Sequence, residues 1–151
     1  MRVVVQLVKE SFVKVNGVIK GEIENGFLVL IGITHNDTES DANWMLDKLV
    51  KLRVFKDENG NMNKSLLDTN GAVLLVSQFT LYASTKKGNR PSFLNAAPPK
   101  IAEKLYDYSI DYLKNKYKIQ VETGVFGAMM DVGLINDGPV TITIDSKNRE
   151  K

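Results

Sequence analysis

Apolar residues are arranged along this chain in two distinct ways. From Ala72 to Val76 they follow one another without a polar break, as in a strand covered on both faces, and the run then opens into Ser77-Gln78-Phe79-Thr80. Residues 27–33 form a second continuous run and predict another central strand. Elsewhere the pattern is that of half-buried strands. Residues 2–8 and 12–15 are β-rich, residues 18–24 alternate apolar and polar, and Asn16-Gly17 between them is a strong two-residue hairpin signal. Further strands are expected over 119–123, 129–135 and 140–144, the last two separated by Asn136-Asp137-Gly138-Pro139. Ala42, Met45, Leu46, Leu49, Val50 and Leu52 recur at helical spacing, which predicts an amphipathic helix over 39–52 with Thr38 as its cap. Ile101, Leu105, Tyr108, Tyr112 and Leu113 predict a second helix over 99–117, begun by Pro98-Pro99, with its aromatic stripe turned to the core.

Many strands and two helices without sustained strand–helix alternation read as an α+β protein. The expected architecture is a mostly antiparallel or mixed sheet, curled or barrel-like, carrying both helices. At 151 residues, 43% hydrophobic and 25% charged, the chain suits one domain over 1–151, with a flexible polar tail at 147–151. Zero cysteines exclude a disulfide framework, a thiolate nucleophile and Cys-ligated metal, and they suit a reducing cytosol. No stretch reaches the ~20 apolar residues of a membrane span or resembles a signal peptide, so a cytoplasmic protein without a membrane partner is expected. A net charge of +2 is too small for general nucleic-acid binding. Contacts with phosphates must come from local clustering, and Lys86, Lys87 and Arg90 in the polar loop after the central run are the candidates, with a solvated basic surface as the plain alternative.

Acid–base chemistry has little to work with. His35 is the only histidine and lies in a polar loop, so neither a histidine metal site nor a Ser-His-Asp triad is expected, and no cofactor is implied. Thr80 ends a buried strand and has two readings, a nucleophile or a hydroxyl bonded to nearby backbone, and no base stands beside it in sequence. Catalysis by backbone suits the composition better: amides of Gln78, Phe79 or Thr80, held rigid at a strand end, would stabilise an oxyanion. Gly138-Pro139 is either an ordinary turn or a cis peptide whose preceding carbonyls form a fixed acceptor pair for an ammonium group.

At these residues the chain resembles the D-aminoacyl-tRNA deacylases. The resemblance rests on Ser77-Gln78-Phe79-Thr80-Leu81, Lys86-Lys87-Gly88-Asn89-Arg90-Pro91-Ser92-Phe93, Phe126-Gly127 with Met129-Met130, and Asn136-Asp137-Gly138-Pro139-Val140-Thr141, and runs from Met1 to about Ser146. It implies a cytoplasmic homodimer that hydrolyses the ester linking a D-amino acid, or glycine mischarged on alanine tRNA, to the terminal adenosine of tRNA, with no DNA partner. It also implies that Ser77, Gln78 and Phe79 line the pocket and present amides to the scissile carbonyl. Phe126 and Met130 would lie near the terminal adenine, and Gly138-Pro139 would be a cis pair that enters the partner subunit's site and excludes L side chains. In the family the tRNA 2′-hydroxyl is thought to assist the reaction, while an older proposal makes the position of Thr80 the nucleophile. One departure stands out: the family usually has Arg, associated with holding the Gly-Pro loop, where this chain has Leu7. Two readings of other classes stay open, a catalytically silent RNA-binding module and a structural homodimer.

Overall fold

A computed structural model describes residues 1–149. The chain begins with one strand, β1 (Arg2–Val15), where the sequence suggests two, because exposed Lys9 and Glu10 fall at a register shift that pairing carries through. On one edge, β1 pairs first with β3 (Gly26–Gly32) and then, beyond Glu10, with β2 (Val18–Ile23), both antiparallel. The β1–β2 hairpin turns at Asn16-Gly17 as expected, both residues having positive φ. Helix α1 (Glu39–Lys51) follows β3, with Thr38 and Asp41 forming a capping box at its start. A small hairpin, β4 (Phe55–Lys56) with β5 (Met62–Lys64), and a short helix α2 (Leu66–Thr69) lead into β6 (Ala72–Ser77). Helix α3 (Pro99–Tyr117) then leads to β7 (Val121–Thr123), and β8 (Asp131–Asp145) returns along the free edge of β1.

The sheet is mixed, because β6 runs parallel to β3 on one side and to β7 on the other. Both crossovers pass through helices, so strand–helix–strand units are present after all. The β4–β5 hairpin and the long loop after β6 interrupt the alternation that would have announced them. The two expected long helices are found, and the additional short α2 is defined by its capping box, Ser65 with Asp68, rather than by any apolar period.

Closure of the sheet toward a barrel depends on β2 reaching β7. A Cβ placed on Gly21 would fall 2.5 Å from the Thr123 carbonyl oxygen, so only glycine permits that approach. Two apolar layers result. Leu28, Leu74 and Val76 point into the barrel with Val8, Val13 and Ile23, while Phe27, Val29, Ile31, Val73 and Leu75 face α1 and α3. This explains why β3 and β6 read as unbroken apolar runs. The helices are joined at their outer seam by Tyr112 Oη and Lys116 Nζ donating to Asp47 at 2.9 and 3.1 Å, and by Tyr108 Oη donating to Asn43 at 2.7 Å. Tyr108 and Tyr112 of the aromatic stripe are half-buried, packing on the core while their hydroxyls reach this polar seam, and Tyr106 beside them is buried. No helix among the described residues is long and apolar enough to cross a membrane. At the end of β8, Lys147 donates to Asp41 at 2.9 Å and Arg149 stacks on Trp44, whereas residues 150–151 of the polar tail lie outside the described residues.

Candidate active site

The buried strand β6 ends at Ser77, and a single 3-10 turn, Phe79–Tyr82, follows it. The turn sits directly on β3, because a Cβ on Gly32 would come within 3.0 Å of both Leu81 Cβ and the Gln78 carbonyl oxygen. The Gln78 amide donates to the Ile31 carbonyl at 2.8 Å, so of the three amides considered from sequence this one is already used. Phe79 and Thr80, the first two residues of the turn, have amides with no acceptor among the described residues. That is the ordinary condition of a helical N-terminus, where N–H groups lack intrahelical partners and suit negative charge. Leu81 and Ala83 donate to the carbonyls of Gln78 and Thr80 and close the turn behind them.

These residues line a cleft of about 840 Å³. Ser77, Gln78, Phe79 and Thr80 form one side, Phe126 and Met130 another, and Phe93 to Pro99 the third. Phe79 and Phe93 meet edge to face at 5.0 Å, while Leu94 and Met129 are 85% and 92% exposed, so the cleft has an apolar rim. Gln78 Nε2 donates to Thr80 Oγ1 at 2.6 Å. The threonine hydroxyl therefore has a side-chain amide beside it, in place of the expected backbone partner, and no base, which weighs against the nucleophile. His35 also lines the cleft, where its Nε2 lies 2.8 Å from the Leu94 carbonyl and ties the third wall to the loop after β3. The same wall is held by Thr34 Oγ1 donating to the Asn95 carbonyl at 2.5 Å and by the Ala97 amide donating to Ile33.

Lys86, Lys87 and Arg90 do not enter the cleft. They stand exposed on a hairpin closed by reciprocal amide–carbonyl bonds between Ser84 and Ser92, which places the basic tip next to the Phe93 wall and leaves it outside every ion pair among the described residues.

Gly138 and Pro139 are also absent from the cleft. Their peptide bond is cis, and residues 137–140 loop out of β8 opposite Leu7, since Gln6 pairs with Thr141 and Val8 with Asn136. Leu7 itself is buried in the core and gives the loop no hydrogen bond. The anchoring comes from Asn136, which sequence reasoning did not single out. Its Oδ1 accepts from the Val140 amide at 3.1 Å and its Nδ2 donates to Thr141 Oγ1 at 3.0 Å. An Asn that bonds backbone within its own turn is a recognisable local signal, hidden here by attention to Gly-Pro.

The displaced titrations belong to buried or paired groups outside the cleft lining. Burial alone would raise Asp41, but hydrogen bonds from Lys147 and the Thr38 amide outweigh it and bring the carboxyl down to about 2. Asp47 is also lowered, burial being overcome by Tyr117 and Lys116, and burial pushes the Tyr106 phenol up. Tyr106 matters to the site mechanically: its Oη donates to the Leu75 carbonyl on β6 at 2.6 Å and its ring packs on Phe126 at 5.8 Å. Among the described residues no group of His, Asp or Glu side chains is arranged to hold a metal ion.

The family model described as D-Tyr-tRNA(Tyr) deacylase matches residues 4–145. A protein of Bacillus cytotoxicus named D-aminoacyl-tRNA deacylase is 55% identical over 147 residues, covering 97% of this chain and all of the relative. One of Thermosipho africanus with the same name is 54% identical over 147 residues, covering 97% and 98%. A solved structure named c-Myc DNA Unwinding Element Binding Protein superposes with a TM-score of 0.90 at 40% identity, covering 96% of this chain and 98% of that one.

Proposed function

Since this chain belongs to the D-Tyr-tRNA(Tyr) deacylase family and is a hydrolase of D-aminoacyl-tRNA esters, we propose that its chemistry is carried by the amides of Phe79 and Thr80. The observation behind this is that both residues line a cleft, their N–H groups lack acceptors among the described residues, and they sit on a turn that follows a buried strand. Water adds to the ester carbonyl carbon, and the negative charge that develops on the carbonyl oxygen is met by these two donors. The bond to the ribose oxygen then breaks, that oxygen takes a proton, and free D-amino acid and tRNA are released. Donors of this kind need no reorganisation during the reaction, and one of them is typically worth about 10²–10³ in rate. The cleft's one acid–base side chain is His35, whose Nε2 lies against the Leu94 carbonyl, and no carboxylate or ammonium group lines it, which agrees with assistance by the tRNA 2′-hydroxyl.

The apolar walls at Phe126 and Met130 suit the terminal adenine, and Lys86, Lys87 and Arg90 beside the cleft suit the phosphates behind it. Chirality is assigned to the Gly138-Pro139 turn of a second copy. The turn protrudes from β8, does not reach its own cleft, and belongs to a strand that exposes Val132 and Ile135. Fixed carbonyls blocking one direction from the α-carbon reject L side chains, and glycine, with no side chain, passes; Gly-tRNA(Ala) is therefore included among the substrates. The protein acts as a homodimer in the cytoplasm, where charged tRNA is found.

Purified protein added to D-tyrosyl-, L-tyrosyl- and glycyl-tRNA, with ester loss followed in time, tests this directly. Release from the D and glycyl esters with the L ester intact is expected. Protection of the D ester without turnover would mean an RNA-binding module, and no effect on any ester a structural dimer.

A further inference from the structure

We infer that Arg2 is a positioning residue for the reaction, acting through the far end of the 3-10 turn whose near end carries the Phe79 and Thr80 amides. The inference rests on the reading of those amides given above. Arg2 does not line the cleft, and neither do Leu81, Tyr82 or Asp145. Its guanidinium nevertheless makes three contacts, two of them on the turn and the third on the end of β8. Nη1 donates to the Leu81 carbonyl at 3.2 Å, Nε donates to Asp145 Oδ2 at 2.9 Å, and Cζ lies 4.5 Å from the centre of the Tyr82 ring.

Each contact has a distinct effect. The last carbonyls of a helical turn lack intrahelical donors, and a cation at that end also complements the dipole of the turn. Leu81 and Tyr82 are the last two residues of a four-residue turn, so the hydrogen bond and the stacked ring fix its orientation about its own axis. The Asp145 carboxylate closes the device. It stands at the end of β8, accepts from the Lys147 amide at 2.9 Å, and ties the guanidinium to that strand. Its pKa is lowered although burial acts in the other direction, the Arg2 hydrogen bond being the main opposing cause. The turn is so short that a rotation permitted at Leu81 is felt at Phe79. A displacement of about 1 Å in a catalytic group can cost on the order of 10² in rate.

A planar five-donor guanidinium is needed to serve a carbonyl, a carboxylate and a ring together, and an ammonium serves one or two of them. The test is steady-state hydrolysis of D-tyrosyl-tRNA by the full-length protein as wild type, Arg2→Met, Arg2→Lys and Asp145→Asn, with thermal melting of each. Arg2→Met should lower kcat about tenfold or more and leave KM within about twofold, because the interaction lost acts in the transition state alone. Arg2→Lys should recover part of kcat, and Asp145→Asn should lower it in the same direction by less. Should Arg2→Met fail to fold, Arg2→Lys and Asp145→Asn carry the same comparison.

An active wild type whose kcat survives all three substitutions overturns the inference while leaving the amide reading intact. A rise in KM with a flattened salt dependence also overturns it, since Arg2 would then be binding tRNA phosphate. A wild type with no hydrolysis of the D ester overturns both.

Discussion

Strands β6 and β8 lie in one sheet and are built in opposite ways. Residues 72–76 of β6 are buried, and the strand is paired on both edges and covered on one face by helices and on the other by the barrel interior. β8 is more than twice as long, pairs only with β1, and is exposed or half-exposed at nearly every residue. The contrast separates two tasks. On the function proposed above, the amides that must not move during reaction stand at the end of the strand held on all sides, whereas the turn assigned to a second copy is carried by a strand whose surface is left open. Val132 and Ile135 along β8 are 37% and 49% exposed and Met129 just before it 92%, apolar side chains of the kind that the proposed second copy would bury.

The contrast breaks most completely at the end of β6. Phe79→Pro removes one of the two amides and should lower kcat by roughly 10² or more in a folded dimer, read by single-turnover ester loss. Retention of full kcat would remove the amides from the mechanism. Next in size is Ile135→Asp on β8. A charge buried in the centre of a dimer interface should cost about 2 kcal/mol or more of association, so light scattering should find monomer and activity should fall with it. A dimer of unchanged mass would place the interface elsewhere.

A finer effect is expected from Asn136→Ala, which frees the turn from two hydrogen bonds worth about 1 kcal/mol each. The ratio of D to L hydrolysis should drop on the order of tenfold while kcat for glycyl-tRNA is little altered, because glycine has no side chain to exclude. An unaltered ratio would show that Asn136 does not govern the turn. Thr80→Val should do least. It deletes a hydroxyl already engaged by Gln78 and keeps the amide, so D-ester hydrolysis should stay within a few-fold of wild type, whereas a loss on the scale of a removed catalytic group, about 10² or greater, would restore the nucleophile.

Much of the architecture was legible before any coordinates. The Asn16-Gly17 hairpin, the helix over Pro99–Tyr117 and the doubly covered strand β6 follow from local turn chemistry and from the period of apolar residues, which are properties of neighbours in sequence. The 3-10 turn with its free amides was half legible, since a buried run that opens into small polar residues indicates a held strand end. That the Gln78 amide is spent on Ile31 was not, because the acceptor lies 47 positions earlier (78 minus 31) and is brought there by parallel pairing of β3 with β6. Pairing partners are chosen by whole faces burying together, which leaves no local trace.

The same reason divides the rest of the site. Sequence alone determined which residue types were available, with no cysteine and one histidine, and so excluded thiolate and Cys-ligated metal chemistry while leaving both the Thr80 hydroxyl and backbone donors as candidates. It also determined the strand, helix and turn segments through their periods. Only the tertiary structure decided that Arg2 and Asp145, 143 positions apart, meet beside the 3-10 turn, that His35 ties the Leu94 wall, and that Asn136 rather than residue 7 anchors the Gly138-Pro139 loop. Those contacts join elements far apart in the chain or rest on side-chain directions that the surrounding packing selects, and neither is written in the order of the residues.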